Sequence, residues 1–164
     1  MLTRSKDPLK STMKVLLNNK KARYNYEIIS TLEAGLVLLG DEVKSLRMGQ
    51  GKIEEAFATF QKGECFLNNL YIAPYKHATM QGQRDPKRPR KLLLHSRQIH
   101  KLSGAVSYQG LALVPTKLYI TPKGKIKMEL ALSKGKTKAD KRETLKEKSW
   151  QRQKQHLLKK KCLS

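Results

Sequence analysis

The sequence predicts a mainly β protein: an OB-like antiparallel barrel with two or three short helices, followed by a basic C-terminal tail. Three observations lead there. Apolar and polar residues alternate in short runs separated by turns that carry Gly or Pro, which is the period of half-buried antiparallel strands. About six such runs occur beside only two short helical patterns, and curled sheets of that size close into small barrels. The last 32 residues, 133–164, hold 12 Lys/Arg, 3 Asp/Glu and few large apolar residues, so they cannot share the same core.

Residues 1–13 contain Pro8 and show no periodicity; they read as a loose leader, with Met13 a second candidate start. The barrel is expected over 14–132. From Tyr24 the pattern is strand-like, through Tyr26, Ile28 and the apolar run 36–39, with Gly35 as a bend or bulge. Between Gly40 and Gly49, the run DEVKSLRM puts Val43 and Leu46 on one helical face. Asp41 and Glu42 fall near its start and Arg47 near its end, which suits the helix dipole. Residues 53–72 read as a hairpin, with strands at 56–60 and 65–67 around a turn that contains Gly63.

Residues 75–90 hold Gly82, Pro86, Pro89 and five cations (Lys76, Arg84, Lys87, Arg88, Arg90), so they read as a long basic loop. A second helix is expected from Ser96 as N-cap to Gly104 as stop, with Ile99 and Leu102 on one face. The clearest strands come last. Leu118 and Ile120 alternate with cations and aromatics, a turn follows at 122–124, and Ile126, Met128, Leu130 and Leu132 keep the same alternation. Upstream, Leu111 and Leu113 are out of phase with Leu118 and Ile120, which predicts a bulge at Pro115 and Thr116.

The tail from 138 to 161 has neither Gly nor Pro and is rich in helix formers. Leu145, Trp150, Leu157 and Leu158 do not line one narrow stripe, so the tail is expected to be disordered alone and helical against a polyanion. A single Trp in such a segment is wasted unless it stacks or docks.

The chain carries 35 Lys/Arg against 13 Asp/Glu, a net charge of +22, which makes nucleic acid the expected partner. No uncharged run reaches the roughly 20 residues that span a bilayer. The tail is too weakly amphipathic for a membrane-surface helix, and no apolar run follows the first charges as a secretory signal requires. Cys65 and Cys162 cannot make a disulfide framework, and Cys162 stands third from the end where prenylation needs the fourth. A reducing, cytoplasmic setting is expected.

Catalysis is not expected. His77, His95, His100 and His156 are scattered, no metal-ligand spacing exists, and no phosphate-binding glycine loop is present. Glu54 and Glu55, read as strand neighbours, would face opposite sides. No cofactor or metal is expected. The segment KKARY at 20–24, by contrast, interleaves cations with an aromatic, as RNA-binding surfaces do.

Four blocks occur in order: NNKKARYNY, EAGLVLLGDEVKSLR, DPKRPRKLLL and ALSKGKTKADKR, with Trp150 beyond them. In this the chain resembles the SmpB family, the SsrA-binding proteins (small protein B), over roughly residues 15–160. The resemblance implies an RNA-binding adaptor of trans-translation. The family's barrel holds the tRNA-like domain of transfer-messenger RNA on a ribosome stalled on truncated mRNA. Its tail enters the empty mRNA channel beside the decoding centre as a helix. A basic OB-fold ribosomal protein, permanently part of a subunit, is the alternative that composition leaves open.

The resemblance also implies which residues act. Asn19, Lys20, Arg23, Glu33, Lys44, Arg47, Leu93 and His95 form the expected RNA-binding set, His95 standing where some members have Asn. In the tail, Gly135, Lys136, Lys138, Asp140, Lys141, Arg142, Trp150 and Arg152 are the expected ribosome contacts. Ala139 departs from members that place a stacking His before the Asp. The expected partners are transfer-messenger RNA and the ribosome, with no membrane and a monomer when free.

Overall fold

Alternation along the chain becomes a sheet that bends round on itself. The computed structural model describes residues 13–76, 85–137, 140, 142–143, 145–146 and 149–154. Within them the order is β1 (Lys14–Asn18), α1 (Lys20–Asn25), β2 (Tyr26–Leu36), α2 (Gly40–Arg47), β3 (Gly51–Lys52) and β4 (Phe57–Gln61). Then come β5 (Glu64–Asn68), β6 (Tyr71–Ile72), β7 (Arg90–Leu93), α3 (Ser96–Gln109), β8 (Ala112–Ile120) and β9 (Ile126–Gly135). The leader residues 1–12 lie outside the described residues.

The main sheet runs β1-β8-β4-β5-β7-β2-β9, and a further β8–β9 pairing joins its ends into a ring. Every pairing is antiparallel. One edge of β8 is divided: Leu113 pairs with Ala58 of β4, while 117–120 pair with β1. The expected OB-like barrel is therefore present, partly closed, with six strands in the ring and β1 laid alongside. Inward positions of β5, β7, β8 and β9 supply a core that includes Leu67, Leu92, Leu113, Leu118, Met128 and Leu130, all almost fully buried. Leu46 of α2 is fully buried beside them.

The phase slip in β8 is a real bulge. Register shifts between Pro115 and Lys117, and the Thr116 hydroxyl at the slip donates to Glu129 Oε1 at 2.7 Å. The hairpin at β4–β5 turns as expected on Lys62 and Gly63, both at positive φ (50° and 76°), the backbone of a tight twisted turn.

Several expectations are corrected. Tyr24 and Asn25 complete helix α1 instead of starting a strand, and Asn19 caps that helix: its Oδ1 accepts from the Ala22 N–H at 3.0 Å. The irregularity in β2 falls between Ile28 and Ser30, not at Gly35. Gly35 instead lets Leu93 approach, since a Cβ there would lie 3.1 Å from the Leu93 Cβ. Ser96 is the first residue of α3 and His95 its cap, and the helix passes Gly104 to end at Gly110, φ 62°. Ala105 and Val106 continue the apolar face against the core, so the helix has reason to go on. Glu54 and Glu55 lie in a turn, and each meets its own lysine, Lys21 at 2.5 Å and Lys87 at 3.6 Å.

The tail differs most. β9 extends to Gly135, three residues past the expected boundary, and pairs Gly135 with Tyr26. The described residues from 140 to 154 are helical, with exposed side chains. A capping box explains the start. The Asp140 N–H donates to the Thr137 hydroxyl at 3.3 Å and the Thr137 N–H donates to the Asp140 carboxylate at 3.0 Å.

Candidate nucleic-acid interface

The two most distinctive sequence blocks meet in space. Glu42 of the α2 block receives Nε and Nη2 of Arg88 at 3.0 and 2.7 Å, and Nε and Nη2 of Arg90 at 2.9 and 2.8 Å. It also accepts the Leu39 N–H at 2.9 Å, which caps α2. Arg90 is 1% exposed, and its remaining donors go to the carbonyls of Leu70 (2.6 Å), Arg88 (3.0 Å) and Pro86 (3.0 Å). Burial alone would raise the Glu42 pKa. The Arg88, Leu39 and Arg90 bonds outweigh it and hold the carboxyl below its usual range. Two of the loop's five cations are thus internal fastenings, and the loop's residues 77–84 lie outside the described residues.

This clamp ties the start of β7 to α2, and the far end of β7 pairs with β2 to build a face. Odd-numbered residues of β2, β7 and β9 point outward: Glu33 and Gly35, Lys91 and Leu93, Lys127 and Glu129. Glu33 is held from two sides, by the Lys127 ammonium on one oxygen and the Tyr119 hydroxyl on the other. Those bonds hold its pKa down, while burial and the carboxylate push the Tyr119 phenol up. Lys91 is paired with Glu64. Leu93 is 54% exposed, a large apolar side chain standing on a polar face. Around them opens a cleft of about 590 Å³ that is also lined by His95, Ser96 and Gln98.

Of the expected RNA set, Glu33, Leu93 and His95 therefore share one site. The His95 N–H donates to Gln98 Oε1 at 3.0 Å, so the residue starts α3 at the cleft's rim. Lys20 and Arg23 sit elsewhere, on α1 at the other end of β2. Seven residues of strand separate Tyr26 from Glu33, about 23 Å at ~3.3 Å per residue. Here α1 meets the root of the tail: the Lys136 N–H donates to the Asn25 carbonyl at 2.9 Å, and Lys136 Nζ reaches the Arg23 carbonyl at 3.5 Å. Asn19 does not face solvent. It is 3% exposed, and its amide donates to Pro115 at 3.0 Å and Ile53 at 3.4 Å while its oxygen caps α1, so it positions Lys20 and Arg23.

Lys44 and Arg47 lie exposed on α2. Lys44 Nζ stands 5.2 Å from the Tyr75 ring centroid, a cation–π arrangement. The Arg47 guanidinium comes within 3.8 Å of where a Cβ of Gly124 would sit, beside the β8–β9 turn. In the tail, Arg142, Trp150 and Arg152 are exposed on helix, and Trp150 is 68% exposed. Lys138, Ala139 and Lys141 lie outside the described residues. Lys91, Tyr119 and Lys127 were missed from the sequence, although Tyr119 and Lys127 are symmetric about the turn at 122–124 and pair directly across it.

Among the described residues no cluster of His, Cys, Asp or Glu could hold a metal ion, and no helix is long and apolar enough to cross a membrane. Cys65 is fully buried, and burial pushes its thiol up to about 11, which makes it unreactive.

The fold and its surface define a small basic protein of the OB-barrel type with a helical tail rooted beside α1. The chain belongs to the SmpB family: the family model described as SmpB protein matches residues 16–160. An SsrA-binding protein of Rhizobium leguminosarum bv. trifolii (strain WSM2304) is 53% identical over 146 residues, 89% of this chain and 91% of that protein. One of Parvibaculum lavamentivorans is 52% identical over 149 residues, 90% of each. A chain in the solved structure "tmRNA-SmpB: a journey to the center of the bacterial ribosome" superposes with a TM-score of 0.62 at 48% identity. That match covers 74% of this chain and 85% of the other.

Proposed function

We propose that this chain is an RNA-binding adaptor of trans-translation. It binds the tRNA-like domain of transfer-messenger RNA and delivers it to ribosomes stalled on truncated mRNA, and its tail occupies the empty mRNA channel. The observation that carries the reading is the outward face of β2, β7 and β9. A carboxylate held in place by Lys127 and Tyr119, an exposed Leu93 and the rim residue His95 stand together there. Lysines supply affinity for phosphate without sequence information, whereas a fixed carboxylate accepts from a base amino group and selects among folded RNAs. The names of its half-identical relatives support the same partner.

In this reading Lys20, Arg23, Lys44 and Arg47 add phosphate contacts around Glu33, Leu93 and His95, and Asn19 positions the first two. Gly135 and Lys136 root the tail. Lys138, Asp140, Lys141, Arg142, Trp150 and Arg152 serve it in the channel. The protein acts in the cytoplasm as a monomer and performs no chemistry of its own.

The test is affinity of the full chain for the tRNA-like domain across a salt series. With about five phosphates contacted, log affinity falls against log salt with a slope of about −3.5, at about −0.7 per contact on single strands. A slope near zero, or equal affinity for arbitrary duplex RNA, would overturn the proposal.

A further inference from the structure

Helix α3 presents a face that the barrel does not need. Arg97, Lys101, Gly104 and Tyr108 follow at i, i+4, i+7 and i+11, so they share one side of the helix. Arg97, Lys101 and Tyr108 are exposed, Tyr108 at 92%. Gly104 is the anomaly. A glycine inside a helix costs about 1 kcal/mol relative to alanine, so its presence calls for a reason. Close packing inside the protein is not the reason, because a Cβ on Gly104 would meet nothing within 4 Å.

Beneath this face runs a groove of about 610 Å³ between α3 and the β2–β9 pair. Its floor is apolar, with Leu32, Leu102, Ala105 and Leu132, and Ser30 and Thr31 line one side. Tyr108, His100 and Lys101 stand on its helical side, and Gln98 belongs both to this groove and to the cleft at Glu33. The groove therefore adjoins the proposed RNA site, with Gln98 at the start of α3 between them.

We propose that the outer face of α3 is a second contact for the same RNA strand: Arg97 and Lys101 meet its phosphates, Gly104 lets the ribose–phosphate chain come close, and Tyr108 stacks on an unpaired base above the groove. This inference rests on the RNA-binding reading of the Glu33 face and extends it. Cations and an exposed aromatic on one helical side suit a polyanion that carries flat bases, since stacking on Tyr is tolerant of base identity. The basic tail is a poor occupant, because Arg97, His100 and Lys101 would face its own lysines.

The decisive variant is Gly104→Gln in the full chain. Glutamine is a good helix former, and the open space accepts its Cβ, so the melting temperature should stay level or rise by about 2 °C. Close approach of a strand is nevertheless blocked, and affinity for the tRNA-like domain should fall at least about fivefold. Tyr108→Ala should lose a similar factor, the lower edge of what one stacked base contributes. Arg97→Gln with Lys101→Gln should flatten the salt slope by about 1.4, two contacts at about 0.7 each.

Intact protein that binds while Gly104→Gln and Tyr108→Ala bind within twofold of it overturns this inference alone. The same holds if those variants keep RNA affinity but lose attachment to ribosomes, which would make the face a docking site for something else. Failure of the intact chain to bind this RNA overturns the reading of the Glu33 face and this extension with it.

Discussion

Replacing Glu42 with glutamine tests whether two arginines of the basic loop are structural. The substitution removes a charge but keeps an oxygen that can accept the Leu39 N–H, so the α2 cap survives and the ion cluster alone is altered. Glu42 is 13% exposed in its side chain, Arg90 1% and Arg88 29%. Removing one partner of a buried pair typically costs about 3–5 kcal/mol. Arg88 can turn toward water and Arg90 keeps three carbonyl acceptors, which places Glu42→Gln near the lower edge, about 3 kcal/mol. In a domain of this size that lowers the melting temperature by about 6–12 °C. Arg88→Leu leaves the deeper Glu42–Arg90 pair intact and should cost about 1 kcal/mol or less. Thermal melts followed by circular dichroism read both variants. The sign of the pH effect is fixed too. The folded carboxyl titrates below its usual range, so its stabilisation is complete above about pH 4.3 and is lost as pH falls through the depressed value. The gap between wild type and Glu42→Gln should therefore narrow in acid. A variant melting within 2 °C of wild type at neutral pH would refute the clamp.

The remaining expectations concern the RNA face and the tail. Glu33→Ala should weaken binding of the tRNA-like domain in an anisotropy titration, although removing an anion from a basic surface should tighten it on charge alone; tighter binding would make Glu33 an ordinary surface carboxylate. Deleting residues 136–164 should leave RNA affinity within about fivefold while abolishing peptide tagging on stalled ribosomes, because the barrel strands and the Glu33 face remain whole. Trp150→Ala should reproduce the tagging defect in milder form, and normal tagging by the truncated chain would reduce the tail to a solubilising extension.

The strands were legible because their information is local. A two-residue period from Leu118 to Leu132 survives any tertiary context that buries one face, and the out-of-phase leucines around Pro115 located the bulge. Helix α1 was not legible, since six residues are too few for periodicity and its cap works only because Asn19 is anchored 96 residues away on Pro115. Gly104 misled for a related reason: the helix continues past it because Ala105 and Val106 find the core. The tail's capping box, by contrast, was readable in the TKAD run at 137–140, and only its poverty of apolar residues argued the other way.

Glu33, Leu93 and His95 of the candidate face were named from the sequence, but their grouping was not. Glu33, Leu93 and His95 come from three elements, and only the β2–β7 and β2–β9 registers bring them to one face. Counting charges also blurred two jobs. Arg88 and Arg90 are spent on Glu42, and Lys21, Lys87, Lys91, Lys117 and Lys127 each stand against a carboxylate. Lys20, Arg23, Arg47, Arg97, Lys101, Lys123 and Lys125 form no such pair among the described residues. A chain with 13 acidic residues among 35 cations thus uses its carboxylates to sort the cations. The exposed pairs add little stability. What they decide is which lysines and arginines remain open to phosphate, and among the described residues those include groups on α1, on the outer face of α3 and at the meeting of α2 with the β8–β9 turn. Salt reaches these exposed charges first, whereas the Glu42–Arg90 contact is shielded by burial, so the charges left open to phosphate and the charges that hold the barrel are largely different ones.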